Sequence, residues 1–403
     1  MNGSTVNCPD WLAERIISKG GCVSFHQYMD WALNDPTYGA YSSGNLRIGP
    51  QGDFATSPSL GSDFAELLAR QLVDWFEQIQ VRNVDNLPLS LIEVGPGEGD
   101  LAFDLVRAIE KISPATMERL EIILVDINQG MIDKQKEKLS NILNIKIRWS
   151  SFEELADKPV IGVILAHEVL DALPVERVVL QNKKLFRQGV ALDELNSTLY
   201  YNELPLTKNI EDHLLEYERQ IGIKIPPEGA SEGWSSEIHI EKNSWLKKAS
   251  ETLVYGALLI IDYALESNRY YNHLKNNGTI IAYKKQSATS SLLCEPGFCD
   301  LTTHLCVEAL IFFAKKNKWQ YLGSSKQGEA LLSLGLALRL YSLQKLPSNR
   351  LDVALQRREA LLRLVDPYGL GGFRWFAFEI DNSIGCVQQD PTLNSMFLIA
   401  PSE

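Results

Sequence analysis

The chain has 403 residues, of which 45% are hydrophobic and 22% charged, and a formal net charge of -12. This is a globular composition, long enough for one main core with substantial additions, and its sign opposes general binding to nucleic acid. Six cysteines (Cys8, Cys22, Cys294, Cys299, Cys306 and Cys386) are scattered without CxxC pairs, so no metal site is expected and the thiols read as reduced in a cytoplasmic protein.

Asp10 to Lys19 predicts a short helix capped by Asp10 and stopped by Gly20. The acidic residues Asp10 and Glu14 also argue against a secretion signal or an arginine-rich transit segment. No apolar run approaches membrane-spanning length, so no membrane insertion is expected. Ser24 and Gln27 form a capping-box pattern for a second helix carrying Phe25, Met29, Ala32 and Leu33, which Asn34-Asp35-Pro36 ends. An irregular glycine-rich loop then leads into Gly52-Asp53-Phe54-Ala55-Thr56-Ser57-Pro58. A polar loop in this place either folds over a ligand or simply connects two elements at the surface. Asp63 with Glu66 caps a third helix, whose Phe64, Leu68, Leu72 and Trp75 share one face.

An α/β core begins near Ser90. Strands are predicted at Leu91–Val94, Ile122–Asp126, Ile145–Trp149, Val160–Ala166 and Ala257–Asp262, with helical patterns between them. Short apolar runs separated by helices indicate a parallel sheet covered on both faces. The first strand runs into Glu93-Val94-Gly95-Pro96-Gly97-Glu98-Gly99-Asp100. A dinucleotide fingerprint would need its third glycine one residue later, where Asp100 stands. Glu93-x-Gly95-x-Gly97-x-Gly99 instead resembles the first motif of S-adenosylmethionine-dependent methyltransferases. A strand-end carboxylate suits that cofactor's positive amine and sulfonium, and it would repel a pyrophosphate.

In such a sheet the functional groups lie at the C-terminal strand ends beside the switch in strand order. Those ends supply Glu93, Asp126, Ser150 with Ser151, His167 with Glu168, and Asp262. Asp126 is the candidate to accept from both ribose hydroxyls, its alternative being a helix cap. Ser151 and Phe152 stand where an adenine edge and face would be held. From Pro174 to about Trp234 the pattern changes to a hairpin around Asn182-Lys183-Lys184, a strand near Tyr200 and a charged helix from Ile210 to Gln220. Beyond the fifth strand, a helix runs to about Lys316, another runs from Gln327 through Leu340, and a closing strand spans Phe373 to Ile380.

Several stretches together resemble the MidA-like methyltransferases of bacteria and mitochondria, whose mitochondrial members methylate protein arginine during assembly of respiratory complex I. They are Pro36-x-Tyr38-Gly39-x-Tyr41, the Gly52–Pro58 run, Phe64 to Gln71, the glycine turn and His167-Glu168-x-x-Asp171-Ala172-Leu173-Pro174-Val175. Leu259 to Tyr263, Pro296-Gly297-x-x-Asp300-Leu301-Thr302 and Gln327-Gly328-Glu329 continue the likeness. The resemblance implies the seven-stranded class I (Rossmann-like) methyltransferase sheet. Residues 1–85 would be a helical N-terminal extension with a cofactor-lid loop. Residues 86–403 would be the methyltransferase domain, with a substrate-side insertion at about 175–240. It further implies S-adenosyl-L-methionine as cofactor and Asp53, Thr56 and Ser57 as the lid over it. An arginine side chain, of a complex I-like dehydrogenase subunit, would be the substrate. Two departures fall on the substrate side: Glu98 stands where the family usually has arginine, and Glu176 where it has histidine.

Arginine chemistry sets the expected roles. Glu168, with Asp171, would hold the guanidinium and His167 would take its proton. A catalytically inactive assembly factor on the same fold, or a small-molecule methyltransferase, is the alternative. The loop Ala166-His167-Glu168-Val169 lacks the Asn/Asp-Pro-Pro-aromatic pattern expected of a base-flipping enzyme.

Overall fold

A computed structural model of the chain describes residues 6–46, 49, 52, 55–83, 87–142, 144–285, 287–383 and 393–400. Seven strands make its central sheet: β1 (Leu89–Val94), β2 (Leu120–Val125), β3 (Lys146–Trp149), β4 (Val160–His167), β5 (Leu253–Asp262), β6 (Gln320–Lys326) and β7 (Arg374–Asp381). Across the sheet they lie in the order β3-β2-β1-β4-β5-β7-β6. The first five run parallel, and β7 is antiparallel to both its neighbours. The fold is therefore mixed α/β on a mostly parallel sheet.

Two-sided burial explains why the central strands read as unbroken apolar runs. Along β1, Leu91 packs into one apolar cluster and Ile92 into the cluster on the opposite face. Ile122 and Ile123 on β2 divide in the same way, as do Leu165 and Ile164 on β4. Strand β6, with the sequence Gln-Tyr-Leu-Gly-Ser-Ser-Lys, was not anticipated. It is an edge strand of half-buried residues and carries no continuous apolar run.

The helices that matter here are α1 (Asp10–Ser18), α2 (Phe25–Asn34), α3 (Asp63–Arg82), α4 (Asp100–Ile112), α5 (Gln129–Leu139), α6 (Phe152–Asp157) and α7 (Ile240–Glu251). Phe64, Leu68, Leu72 and Trp75 of α3 are fully buried against the Leu91 face of the sheet, as their spacing predicts. Ser24 caps α2 by accepting from the Gln27 N–H at 3.2 Å. Two predicted caps are corrected. Pro9 is the N-cap of α1, with Asp10 already helical. Ser62 precedes α3, and Asp63 there takes both guanidinium arms of Arg357 at 2.9 and 2.6 Å. The helix expected over 327–340 is two helices, Gln327–Ser333 and Leu336–Leu343, because Gly335 turns the chain at a φ of 98°.

Strands Glu176–Gln181 and Lys184–Asp193 form the expected hairpin around Asn182 and Lys183. With Thr198–Leu204 and Ser235–Ile238 they form a second sheet, which also takes Val6–Asn7 and Cys22–Ser24 from the N-terminal segment. The first 85 residues are thus not purely helical. Leu12, Phe25, Val190, Leu199, Leu292 and Leu301 share a third apolar cluster, so this segment, the second sheet and the 280–301 region share a core. Among the described residues no helix is long and apolar enough to cross a membrane.

Candidate active site

Strand β1 carries Glu93 into a turn whose Gly95, Gly97 and Gly99 have φ of 61°, 55° and 88°. That left-handed region is costly for any residue with a Cβ. At Gly95 space is short as well, since a Cβ would stand 3.0 Å from Val169 Cγ2. Gly99 is the N-cap of α4, so the turn ends where unpaired backbone N–H groups begin.

The ends of β1, β2 and β4 open onto a cavity of about 370 Å³. Glu93, Gly95, Gly97, Asp126 and Phe152 line it, as do Thr56, His167 and Glu168. Glu93 is 3% exposed, and its Oε2 has no hydrogen-bond partner. Burial, with a contribution from Asp100, lifts its carboxyl to about 8. A buried acid facing a cavity with an unused oxygen suits a cationic ligand.

Asp126 follows β2. Its Oδ1 accepts from the Asn128 N–H at 2.9 Å, and its Oδ2 accepts from Gln135 Nε2 at 2.8 Å. The same Gln135 amide donates to the Gly97 carbonyl at 2.7 Å, and its oxygen accepts from Trp149 Nε1 at 2.9 Å. Gln135 therefore ties the acid of the second strand to the glycine turn of the first. The sequence held a signal for it, because Met131, Gln135 and Leu139 are the buried residues of α5 at helical spacing and the middle one is an amide.

Phe152 packs edge-on against Trp245, ring centroids 5.6 Å apart. Trp245, Ser244 and Glu241, all on α7, also line the cavity, and nothing in the sequence reasoning singled them out. Ser151 does not line it. Its hydroxyl accepts from the Glu154 N–H while Glu154 returns a bond to the Ser151 N–H, making a helix cap. Thr56 reaches the cavity but Ser57 does not; Ser57 is buried against Gln327. Asp53 lies outside the described residues.

The far wall is acidic. Glu168 adopts a φ of 54°, unusual for a residue with a Cβ, directly after β4. Burial raises its carboxyl well above the usual range, and Asp171, Asp262 and Asp300 add to the shift. Its Oε1 has no hydrogen-bond partner. Asp171 is also buried and raised, but it stands behind the wall and does not line the cavity. Asp262 holds the turn between them by accepting from the Leu170 and Asp171 N–H groups, both at 3.1 Å. Lys242 donates to Thr303 Oγ1 at 3.3 Å; burial lowers its ammonium to about 8, against the opposing pull of the Asp262 and Asp171 carboxylates. Tyr41, which lines the cavity, donates to Asp300 Oδ1 at 2.8 Å. His167 is packed edge-on by Phe64 at 5.3 Å and is lowered by burial to about 3. Its Nε2 is unpartnered. Of the family departures, Glu98 pairs with Lys134 at 2.9 Å and Glu176 with Arg187 at 3.4 Å.

A family model described as S-adenosyl-L-methionine-dependent methyltransferase matches residues 67–325, from α3 to β6. The chain belongs to this methyltransferase family. The cavity fits the family's cofactor: an unpaired buried carboxylate, bare glycine backbone and a second acid suit a ligand with positive and hydroxyl groups. A structure from Burkholderia thailandensis, described as a methyltransferase bound to S-adenosyl-homocysteine, superposes with a TM-score of 0.78. It is 25% identical, and the match covers 94% of this chain and 92% of that one. This methyltransferase is also similar to human protein arginine methyltransferase NDUFAF7, mitochondrial, at 25% identity over 384 residues, covering 90% of this chain and 81% of that protein. The Drosophila melanogaster homologue is 24% identical over 401 residues, covering 89% and 82%.

Proposed function

We propose that this methyltransferase transfers the methyl group to an arginine side chain of a protein, and that Glu168 holds the guanidinium. The observation that carries this is the buried carboxylate of Glu168, with one oxygen unpartnered, on the same cavity as Glu93. Three further acids back it, and a neutral nucleophile would not need them. The names of the relatives point the same way.

S-adenosylmethionine, when bound, supplies an activated methyl group. Glu93 would hold its positive amine, Asp126 its ribose hydroxyls, and Phe152 with Trp245 its adenine. Gly95, Gly97 and Gly99 let the backbone approach, and Thr56 belongs to the lid. Asp53 keeps its proposed place there, whereas we assign Ser57 to holding the lid rather than touching the cofactor, and Ser151 to the cap of α6.

Methyl transfer is an in-line displacement, so alignment is the main demand, and well-oriented groups gain roughly 7–11 kcal/mol from it. Deprotonating a free guanidinium at pH 7 costs roughly 7–9 kcal/mol. Glu168 therefore grips the cation, draws its charge away from the attacking nitrogen, and the proton leaves during or after attack. Binding of the cation drives Glu168 to its charged form. Asp171 and Asp262 stand behind Glu168 and add to the rise of its carboxyl, and we assign Asp171 to this backing rather than to direct contact with the guanidinium. His167, neutral and with Nε2 unpartnered, is placed to relay the departing proton rather than to keep it, since burial holds its imidazole down to about 3.

We take the seven-stranded sheet as the class I layout, residues 86–403 as the methyltransferase domain and about 175–240 as its insertion. The N-terminal 85 residues complete the insertion's sheet. A complex I-like dehydrogenase subunit is the first substrate to try, and nucleic acid is not a partner on this proposal. We place the enzyme in the cytoplasm. In the deciding experiment, labelled cofactor and arginine-containing peptides are given to the wild type and to Glu168→Gln. The variant should lose at least about 100-fold in kcat, as for a transition-state contact of ~3 kcal/mol, while its affinity for S-adenosylhomocysteine stays within twofold, about 0.4 kcal/mol. Unchanged turnover would remove Glu168 from the mechanism.

A further inference from the structure

The thiols of Cys294 and Cys299 lie 3.7 Å apart, sulfur to sulfur, in the segment Cys294-Glu295-Pro296-Gly297-Phe298-Cys299. Cys294 is partly exposed and Cys299 is 4% exposed. We propose that this pair is a reversible disulfide site, closed by a low-molecular-weight disulfide and seated against the substrate side of the cavity.

The two thiols are not equivalent. Cys294 is partly exposed, and the sulfur–sulfur hydrogen bond, with Lys284 contributing, lowers its thiol, while Cys299 is buried and raised. Cys294 is therefore the sulfur that an outside disulfide can reach and the one that attacks, and Cys299 keeps the proton until its turn. In the first step the Cys294 sulfur bonds to one sulfur of the oxidant, the oxidant's S–S bond breaks, and one thiolate leaves. In the second, Cys299 gives up its proton, attacks the mixed disulfide at Cys294 Sγ and releases the second small thiol. Two cysteine thiols are oxidised and one disulfide is reduced to two thiols.

The segment is held against the N-terminal part of the chain. Gly297 sits so close to the Tyr38 carbonyl that a Cβ would stand 2.2 Å from it, and the Gly297 carbonyl accepts from Asn45 Nδ2 at 3.0 Å. Tyr28 donates to the Leu292 carbonyl at 3.0 Å. Cys299 directly precedes Asp300, the acceptor of the cavity-lining Tyr41 hydroxyl. A disulfide needs its sulfurs at about 2.05 Å, so closing the 3.7 Å gap draws the turn 294–299 together directly before Asp300, which opens the strand Asp300–Thr302. If the cavity takes its substrate beside Tyr41, a consequence that rests on the function proposed above, oxidation changes the KM for substrate and leaves cofactor affinity alone.

The test exposes the whole protein to oxidised glutathione and reads the product by peptide mass. The wild type should lose two hydrogens across the peptide joining Cys294 to Cys299, reversibly with dithiothreitol. Cys299→Ser should instead accumulate a glutathione adduct on Cys294, and Cys294→Ser should yield no internal bond. A lasting adduct on the wild type, or oxidation spread evenly over the other cysteines, overturns the site. The oxidised wild type, assayed beside Cys294→Ser treated in the same way, should show at least about a threefold change in KM, ~0.7 kcal/mol. A bond that forms with KM unmoved overturns the coupling to the cavity. Loss of arginine transfer in the reduced protein would count against the proposed function and not against the disulfide.

Discussion

Glu168 Oε1 lies 3.5 Å from His167 Nδ1, at the junction of β4 and the acidic wall. Despite that distance the two are not an ion pair. Burial keeps the imidazole neutral down to about 3, which leaves no cation for the carboxylate to pair with, and the same burial pushes the Glu168 carboxyl upward. A cationic substrate would be the partner that favours the charged carboxylate.

His167 fixes one pH dependence. Its unfolded value is about 6.5, so the folded state is favoured above that pH, and the advantage fades as pH falls from there toward 3. At pH 5 the loss amounts to about 2 kcal/mol. Relative to wild type, His167→Gln should therefore melt higher at pH 5 than it does at pH 7.5. Parallel melting curves at the two pH values would count against a neutral buried imidazole.

Glu93 has the opposite sign. Its folded value of about 8 exceeds that of an unfolded glutamate, so the folded state is favoured at low pH and loses stability as pH rises toward 8. Glu93→Gln should raise the melting temperature of the cofactor-free protein at pH 8 and leave it little changed at pH 4.5. The same variant should bind S-adenosylhomocysteine at least about tenfold more weakly, for loss of a charged partner worth ~1.5–3 kcal/mol. Calorimetry in two buffers of different ionisation enthalpy should show the wild type releasing a proton on binding at pH 7, and Glu93→Gln releasing none.

Gln135 is buried and satisfies three partners at once. Gln135→Leu leaves the Gly97 carbonyl, Asp126 and the Trp149 N–H short of a partner, at about 1–3 kcal/mol each where water cannot reach. Cofactor affinity should fall by roughly tenfold or more (about 1.4 kcal/mol per decade), with KM for the peptide measured at saturating cofactor unaffected. Equal loss in both would make Gln135 a general stability residue.

Gly95→Ala adds a Cβ both to a left-handed backbone and to the space beside Val169. The backbone part costs about 1–2 kcal/mol. Val169→Ala removes only the side-chain clash, so the double variant should recover part of the lost cofactor affinity and not all of it. Full recovery would mean the backbone conformation costs nothing.

Which parts were legible follows from how far apart the interacting residues lie. The glycine turn and Glu93 could be read because strand, bend and helix are contiguous, and a left-handed φ leaves its mark as glycine in the sequence itself. Ser151 makes a helix cap with Glu154, which stands three residues on, in a pattern that local reading can find. Edge strand β6 was missed because one exposed side lets its residues be polar. Asp63 looked like a cap, while its partner Arg357 lies far down the chain.

The sequence by itself determined the strand-glycine-helix turn, the acid before it and the two-faced apolar runs of the sheet. Each of these is enforced by neighbours within a few residues. Only the tertiary structure decided that Asp171, Asp262 and Asp300 back Glu168 in one buried cluster, that Trp245 of α7 lines the cavity, and that Gln135 joins two strand ends. Burial raises or lowers a charge according to everything packed around it, and residues that converge from distant segments leave no spacing to read.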